Sequence, residues 1–151
     1  MTTYYNGLQF APLNDILSIA SSIRDTHWGR TITYSRKIFV PLTNMCRDTC
    51  SYCTFVKHPS NPAARIMTPE QVLKEAEKGK EKGCKELLFS LGEKPELRYF
   101  EAKNALESLG YKYMTDYLAD MCELIISETS LLPHVNAGTL SDYEIDKLKP
   151  F

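Results

Sequence analysis

Three of the chain's five cysteines, Cys46, Cys50 and Cys53, fall within eight residues in the stretch NMCRDTCSYCTF. Thiolates are soft ligands that suit zinc, copper(I) and iron–sulfur clusters. The cysteine count is odd, and the first residues, MTTYYNGLQFAPLNDI, carry neither a basic segment nor an apolar one. A disulfide framework is therefore not expected, and clustered thiols in that setting point to metal or redox chemistry. Two metals compete. Structural zinc takes four ligands, which here would be the three cysteines and His58, without the second close pair that zinc sites favour. An iron–sulfur cubane held by only three thiolates leaves one iron with an open position, so a ligand bound there would also be a reactant. Cys84 and Cys122 stand alone in the sequence and are expected to be structural, as free cysteine is among the most buried residue types.

The elements that must position this loop can be read on either side of it. Asn14 to Trp28 reads as a short helix, N-capped by Asn14, with Ile16, Leu17, Ile19, Ala20 and Ile23 as its apolar side and Gly29 as its stop. The β-branched and aromatic run TITYSRKIFVPL predicts a strand over Ile32–Val40 that feeds the cysteine loop. A helix follows with Thr68 as N-cap, Pro69 at its first position, Gln71 reaching back as a capping box and Gly83 as its end. Glu86–Ser90 predicts a second strand leading into a Gly-containing turn, then a helix over Pro95–Leu109 capped by Gly110. Thr115–Ser127 is a further helix, with Tyr117, Leu118, Met121, Cys122, Ile125 and Ile126 at helical spacing. LLPHVNAG makes a third strand, and Ser141 with Glu144 forms a capping box that starts a last helix.

Strands alternating with helices predict an α/β fold, with parallel strands joined by right-handed crossovers. Three strands are few for such a sheet, which normally continues or closes until its edges are covered. The pattern reads as the front half of something larger. At the carboxyl end of that strand, where barrel-like folds bind ligands, alternation places His134 and Asn136 on one face. A net charge of −1 with both signs interspersed gives no basic field for a phosphate backbone, so small molecules are expected rather than nucleic acid. No apolar run approaches a membrane span, and a cytoplasmic location is expected.

The loop CRDTCSYC, placed after a first strand, resembles the signature of the radical S-adenosylmethionine (SAM) enzymes. That resemblance implies an N-terminal part of a partial (β/α)6 TIM-like barrel, with residues 1–30 as a helical extension and 31–151 as about half of the core. It implies a [4Fe–4S] cluster held by Cys46, Cys50 and Cys53, with SAM chelating the open iron and yielding a 5′-deoxyadenosyl radical. Tyr52 matches the aromatic position expected near the adenine, although a core tyrosine under the loop is the alternative. SLGE matches the Gly-Gly-Glu turn that binds the amino end of the cofactor, with Gly92 and Glu93 in place and Leu91 where the first glycine stands. Asn136 would reach the cofactor and His134 the substrate, unless His134 is a hydrogen-bonded structural residue.

A narrower resemblance covers most of Thr31–Phe151. FVPLTNMCRDTCSYCTF, GCKELLFSLGEKPE and LGYKYMTDYLADMCELIISETSLLPHVNAGTLS are similar, in order and spacing, to the first radical subunit of the FO synthase family, with NAG where that family has NPG. This implies a lyase of coenzyme F420 biosynthesis. Such an enzyme closes the deazaflavin ring of FO from 5-amino-5-(4-hydroxybenzyl)-6-(D-ribitylimino)-5,6-dihydrouracil with loss of ammonia. It would work beside a sister FO synthase subunit and take electrons from a ferredoxin or flavodoxin. The sister subunit itself, a menaquinone-pathway radical enzyme, or an inactive iron–sulfur or zinc-binding fragment are the alternatives.

Overall fold

In a computed structural model, residues 10 to 151 are described. The chain divides into two compact units, one up to Tyr34 and one spanning Ser35–Phe151. The first unit holds helix α1 (Leu13–Trp28), and none of its residues is buried. Its stop is Gly29, as expected, at φ 64°. Its start differs from expectation. The cap is Pro12 rather than Asn14, with the Pro12 carbonyl accepting the amides of Asp15 and Ile16 and no side chain capping the end. Proline's locked φ places that carbonyl without help from a side chain.

The second unit is built on three parallel strands, β1 (Lys37–Thr43), β2 (Glu86–Leu91) and β3 (Leu132–Asn136), in that spatial order. Helix α2 (Pro69–Glu81) links the first two; α3 (Phe100–Ser108) and α4 (Met114–Thr129) link the second pair; α5 (Asp142–Leu148) follows β3. The first strand begins five residues later than expected and runs through Pro41, because the β2 ladder starts only at the Lys37–Glu86 pair. Pro41 is tolerated since β1 is an edge strand, where a missing N–H costs no ladder bond on the open side.

Capping boxes form at both predicted sites, Thr68 with Gln71 and Ser141 with Glu144. The helix expected over Pro95–Leu109 is broken instead. A 3-10 turn, Pro95–Leu97, precedes α3, and Tyr99 between them is extended. The cause lies further along the chain. Glu96 turns its carboxylate to accept the amide of Met114 at 3.1 Å, so it caps α4, whose preceding residue Tyr113 offers no side-chain bond of its own.

One face of the sheet is sealed. Val40, Leu42, Leu87 and Phe89 are fully buried, together with Val72 and Ala76 of α2 and Tyr117, Leu118, Cys122 and Ile125 of α4. Each large apolar side chain buried there contributes about 1.5–3 kcal/mol. Burial drives the Cys122 thiol up to about 12, so this cysteine is the inert packing residue expected. Cys84 is only half-buried but packs against the same core. The opposite face carries Lys37 and Phe39 of β1, Leu88 and Ser90 of β2, and Leu132, His134 and Asn136 of β3, where burial alternates with exposure strand by strand. Among the described residues no helix is long and apolar enough to cross a membrane.

Candidate metal and cofactor site

The cysteine loop leaves β1 at Thr43, and its first half is tightly held. Thr43 is buried; its hydroxyl donates to the Arg65 carbonyl at 3.0 Å and accepts the Met45 amide at 3.2 Å. Asn44 donates through Nδ2 to the Ala63 carbonyl at 2.7 Å and accepts the Arg65 amide at 2.8 Å. An antiparallel bridge between Thr43 and Ile66, with the Met67 amide donating to the Leu42 carbonyl at 2.8 Å, brings residues 63–67 back alongside the loop's start.

The end of β2 presses on the same segment. The Gly92 amide donates to the Thr43 carbonyl at 3.2 Å, and a Cβ on Gly92 would stand 1.9 Å from the Met45 carbonyl oxygen. Only glycine admits that approach. The next residue, Glu93, donates its amide to the Cys46 sulfur at 3.2 Å and accepts the Arg47 amide at 2.9 Å. Its carboxylate is buried and bonded at both oxygens: Arg47 donates to Oε1 at 3.0 Å, and the Thr139 amide to Oε2 at 2.9 Å. A Cβ on Gly138, which sits at φ 73°, would lie 2.0 Å from Oε2. The loop after β3 closes onto Glu93 at a glycine whose positive φ disfavours other residues.

The second half of the loop is free by comparison. Cys50 and Cys53 are exposed, joined by a turn in which the Cys53 amide donates to the Cys50 carbonyl at 3.1 Å. Tyr52 is 85% exposed, which removes the core-tyrosine alternative. A cleft of about 430 Å³ opens between this loop and the bare sheet face, lined by Phe39, Pro41 and Ser90 from the strands and by Cys46, Cys53, Phe55 and Gly92. Of the residues expected at the site, Cys46, Cys53 and Gly92 meet there, while Cys50, Tyr52, Glu93, His134 and Asn136 do not line it. Asn136 stands beside it, paired with Ser90.

His134 lies one row nearer the amino ends, opposite Leu88. Its Nδ1 is 3.1 Å from Glu86 Oε2 and 3.1 Å from Lys37 Nζ. Hydrogen bonds from Lys37 foremost, then Ser35 and His134, hold the Glu86 carboxyl down at about 2. Phe39, Phe55, Asn44, Arg47 and Thr139 were not legible as site residues, since each acts through a partner more than fifteen positions away or through a backbone group.

The donor set fits an iron–sulfur cluster. Three unpaired thiols share one loop, two of them line one cleft, and the third is exposed next to them. They are not gathered: among the described residues no three Cys, His, Asp or Glu side chains stand together closely enough to hold a metal ion. His58, the fourth ligand that zinc would require, instead bonds Ser60 at 2.9 Å and meets the edge of Tyr99.

The profile of the Radical SAM superfamily matches residues 40–149, from the buried half of β1 to the end of α5. This chain belongs to the radical SAM superfamily. Membership implies a [4Fe–4S] cluster and S-adenosylmethionine. The chain is 46% identical over 118 residues to 7,8-didemethyl-8-hydroxy-5-deazariboflavin synthase of Methanopyrus kandleri, covering 78% of this chain and 35% of that protein. It is 46% identical over 147 residues to FO synthase of Nocardia farcinica, covering 91% of this chain and 17% of that protein. The chain thus spans about a third of the first relative and about a sixth of the second. In fold it is similar to the [FeFe]-hydrogenase maturase HydG of Carboxydothermus hydrogenoformans (TM-score 0.65, 24% identity, 91% of this chain and 28% of that one). Methylornithine synthase PylB is equally similar (TM-score 0.65, 16% identity, 95% and 38%). The radical SAM fold expected from the sequence, a TIM-like α/β arrangement begun by three parallel strands, is the one observed.

Proposed function

We propose that this radical SAM chain carries the cluster- and cofactor-binding portion of an FO synthase, the lyase that closes the deazaflavin ring of the coenzyme F420 precursor. The observation that carries this reading is the 46% identity to deazaflavin-forming enzymes across the stretch that builds the cleft. When bound, the cluster and S-adenosylmethionine supply a 5′-deoxyadenosyl radical for hydrogen abstraction.

The chain's own residues have the following tasks. Cys46, Cys50 and Cys53 are the cluster ligands, and three thiolates leave the fourth iron to the cofactor. Gly92 lets the end of β2 lie flat on the loop, leaving backbone there for the cofactor's amino end. Phe39 and Phe55, with ring centroids 6.4 Å apart, give the cleft an apolar wall. Asn136, at the rim beside Ser90, is assigned to the cofactor. Tyr52, 85% exposed beside Cys53, is assigned to the adenine. His134, whose Nδ1 lies 3.1 Å from both Glu86 Oε2 and Lys37 Nζ, is the residue assigned to the substrate.

The substrate in this reading is the hydroxybenzyl-ribityliminouracil adduct, supplied by a sister radical subunit, and a ferredoxin or flavodoxin supplies the electron. Incubating the intact reconstituted protein with that adduct, S-adenosylmethionine and a reductant should release ammonia and a fluorescent deazaflavin. Cofactor cleavage to 5′-deoxyadenosine without any deazaflavin would assign the radical chemistry to another substrate.

A further inference from the structure

The two halves of the cysteine loop differ in what holds them, and the difference centres on Glu93. The residue lies at the end of β2, yet it bonds to the first thiol of the loop through its amide, to Arg47 through its carbonyl and Oε1, and to the β3–α5 loop through Oε2. Arg98 adds a second tie from the same side, donating to the Arg47 carbonyl. Glu93 is 7% exposed, and both its carboxylate oxygens already have partners. A buried carboxylate bonded at both oxygens is held in one orientation. Among the described residues no comparable tie reaches Cys50 or Cys53, which are exposed.

We infer that Arg47 and Glu93 form a latch that fixes Cys46 and clamps the loops after β1 and β3 together, so that Glu93 acts as a positioning residue. The latch presets one thiol of the three. The amides of Glu93 and Asp48, at 3.2 and 3.4 Å from the Cys46 sulfur, are aimed where charge accumulates on a ligand thiolate. Hydrogen bonds to ligand sulfurs raise the reduction potential of an iron–sulfur cluster, so the latch also sets how easily an electron enters. Cys50 and Cys53, on the exposed turn, are then the thiols that adjust to meet the cluster. The assignment does not depend on which substrate the enzyme takes.

Two readouts test it on the intact protein. Hydrogen exchange is followed by mass spectrometry in the metal-free protein over residues 43–57 and 137–141, and the midpoint potential is measured after anaerobic reconstitution. Arg47→Met and Glu93→Gln should each speed exchange about tenfold in both segments, as expected when a partly buried charge-assisted bond is lost. Both should make the midpoint potential more negative. Arg47→Lys should restore most of each effect, and the double variant should be no worse than either single one, because the two side chains act as one unit.

The latch is overturned if exchange is unchanged in either segment, or if exchange rises with no change in potential. It is also overturned if Glu93→Gln weakens S-adenosylmethionine binding while Arg47→Met leaves exchange and potential as they were, which would make the carboxylate a direct ligand. The exchange arm involves neither metal nor substrate, so its failure is separable from a failure of the FO synthase reading.

Discussion

The two faces of the same three strands are built by opposite rules. On one, Val40, Leu42, Leu87 and Phe89 are fully buried under α2 and α4, and even the tyrosine in that layer, Tyr117, has its hydroxyl donating to the Met67 carbonyl at 2.6 Å. On the other, Phe39 is 46% and Leu132 63% exposed, and the polar groups Lys37, Glu86 and His134 share hydrogen bonds across the strands. Parallel strands alternate their side chains between faces, so six residues of one strand serve both purposes. The lesson is a division of labour: the helix-covered face holds the strands in register, and the bare face with its carboxyl edge is left open beside the cysteine loop.

That division can be broken from the stability side first. Phe89→Ala empties the centre of the covered face and should destabilise the protein by about 3–5 kcal/mol in urea unfolding. Tyr117→Phe keeps the ring but leaves the Met67 carbonyl without its donor, with an expected loss of about 1–2 kcal/mol. A smaller loss should be gated by pH. Glu144, at the start of α5, is pushed up by burial but held down more strongly by Lys94, Ser141 and Thr115, at about 2 against an ordinary 4.5. A carboxyl depressed on folding contributes stability that is present above its unfolded pKa and lost as pH falls toward the folded one. Unfolding midpoints of the wild type should therefore fall between about pH 4.5 and 2 more steeply than those of Glu144→Gln. The smallest stability effect belongs to the bare face: Phe39→Ser should change the unfolding free energy by about 0.5 kcal/mol or less. A loss as large as that of Phe89→Ala would dissolve the distinction between the faces.

Local signals in the sequence were read correctly where the structure is decided locally. The Thr68–Gln71 and Ser141–Glu144 capping boxes, the glycine stops at Gly29 and Gly110 and the apolar stripe of α4 all depend on neighbours within a few positions. One exception on that stripe is Ile126, which is 42% exposed at its margin. The helix expected over Pro95–Leu109 is interrupted because Glu96 serves a helix that starts eighteen residues later, a demand no local pattern records. The start of β1 was misread for a similar reason, since strand limits are set by the partner ladder. At the site, the spacing of Cys46, Cys50 and Cys53 was legible because one loop carries all three. The roles of Arg47, Gly138 and Thr139 were not, because they follow from Glu93 meeting two loops far apart in sequence.

The central claim is that three thiols of one loop hold a four-iron cluster with one iron left for S-adenosylmethionine. Its most direct test is metal analysis with electron paramagnetic resonance of the reduced, anaerobically reconstituted protein, with and without S-adenosylmethionine. About four irons per chain are expected, with a cubane signal that shifts when the cofactor is added, and both should be lost in Cys46→Ser, Cys50→Ser and Cys53→Ser but kept in Cys122→Ala. Stoichiometric zinc in place of iron, or a cluster signal that survives loss of any of the three thiols, would contradict it.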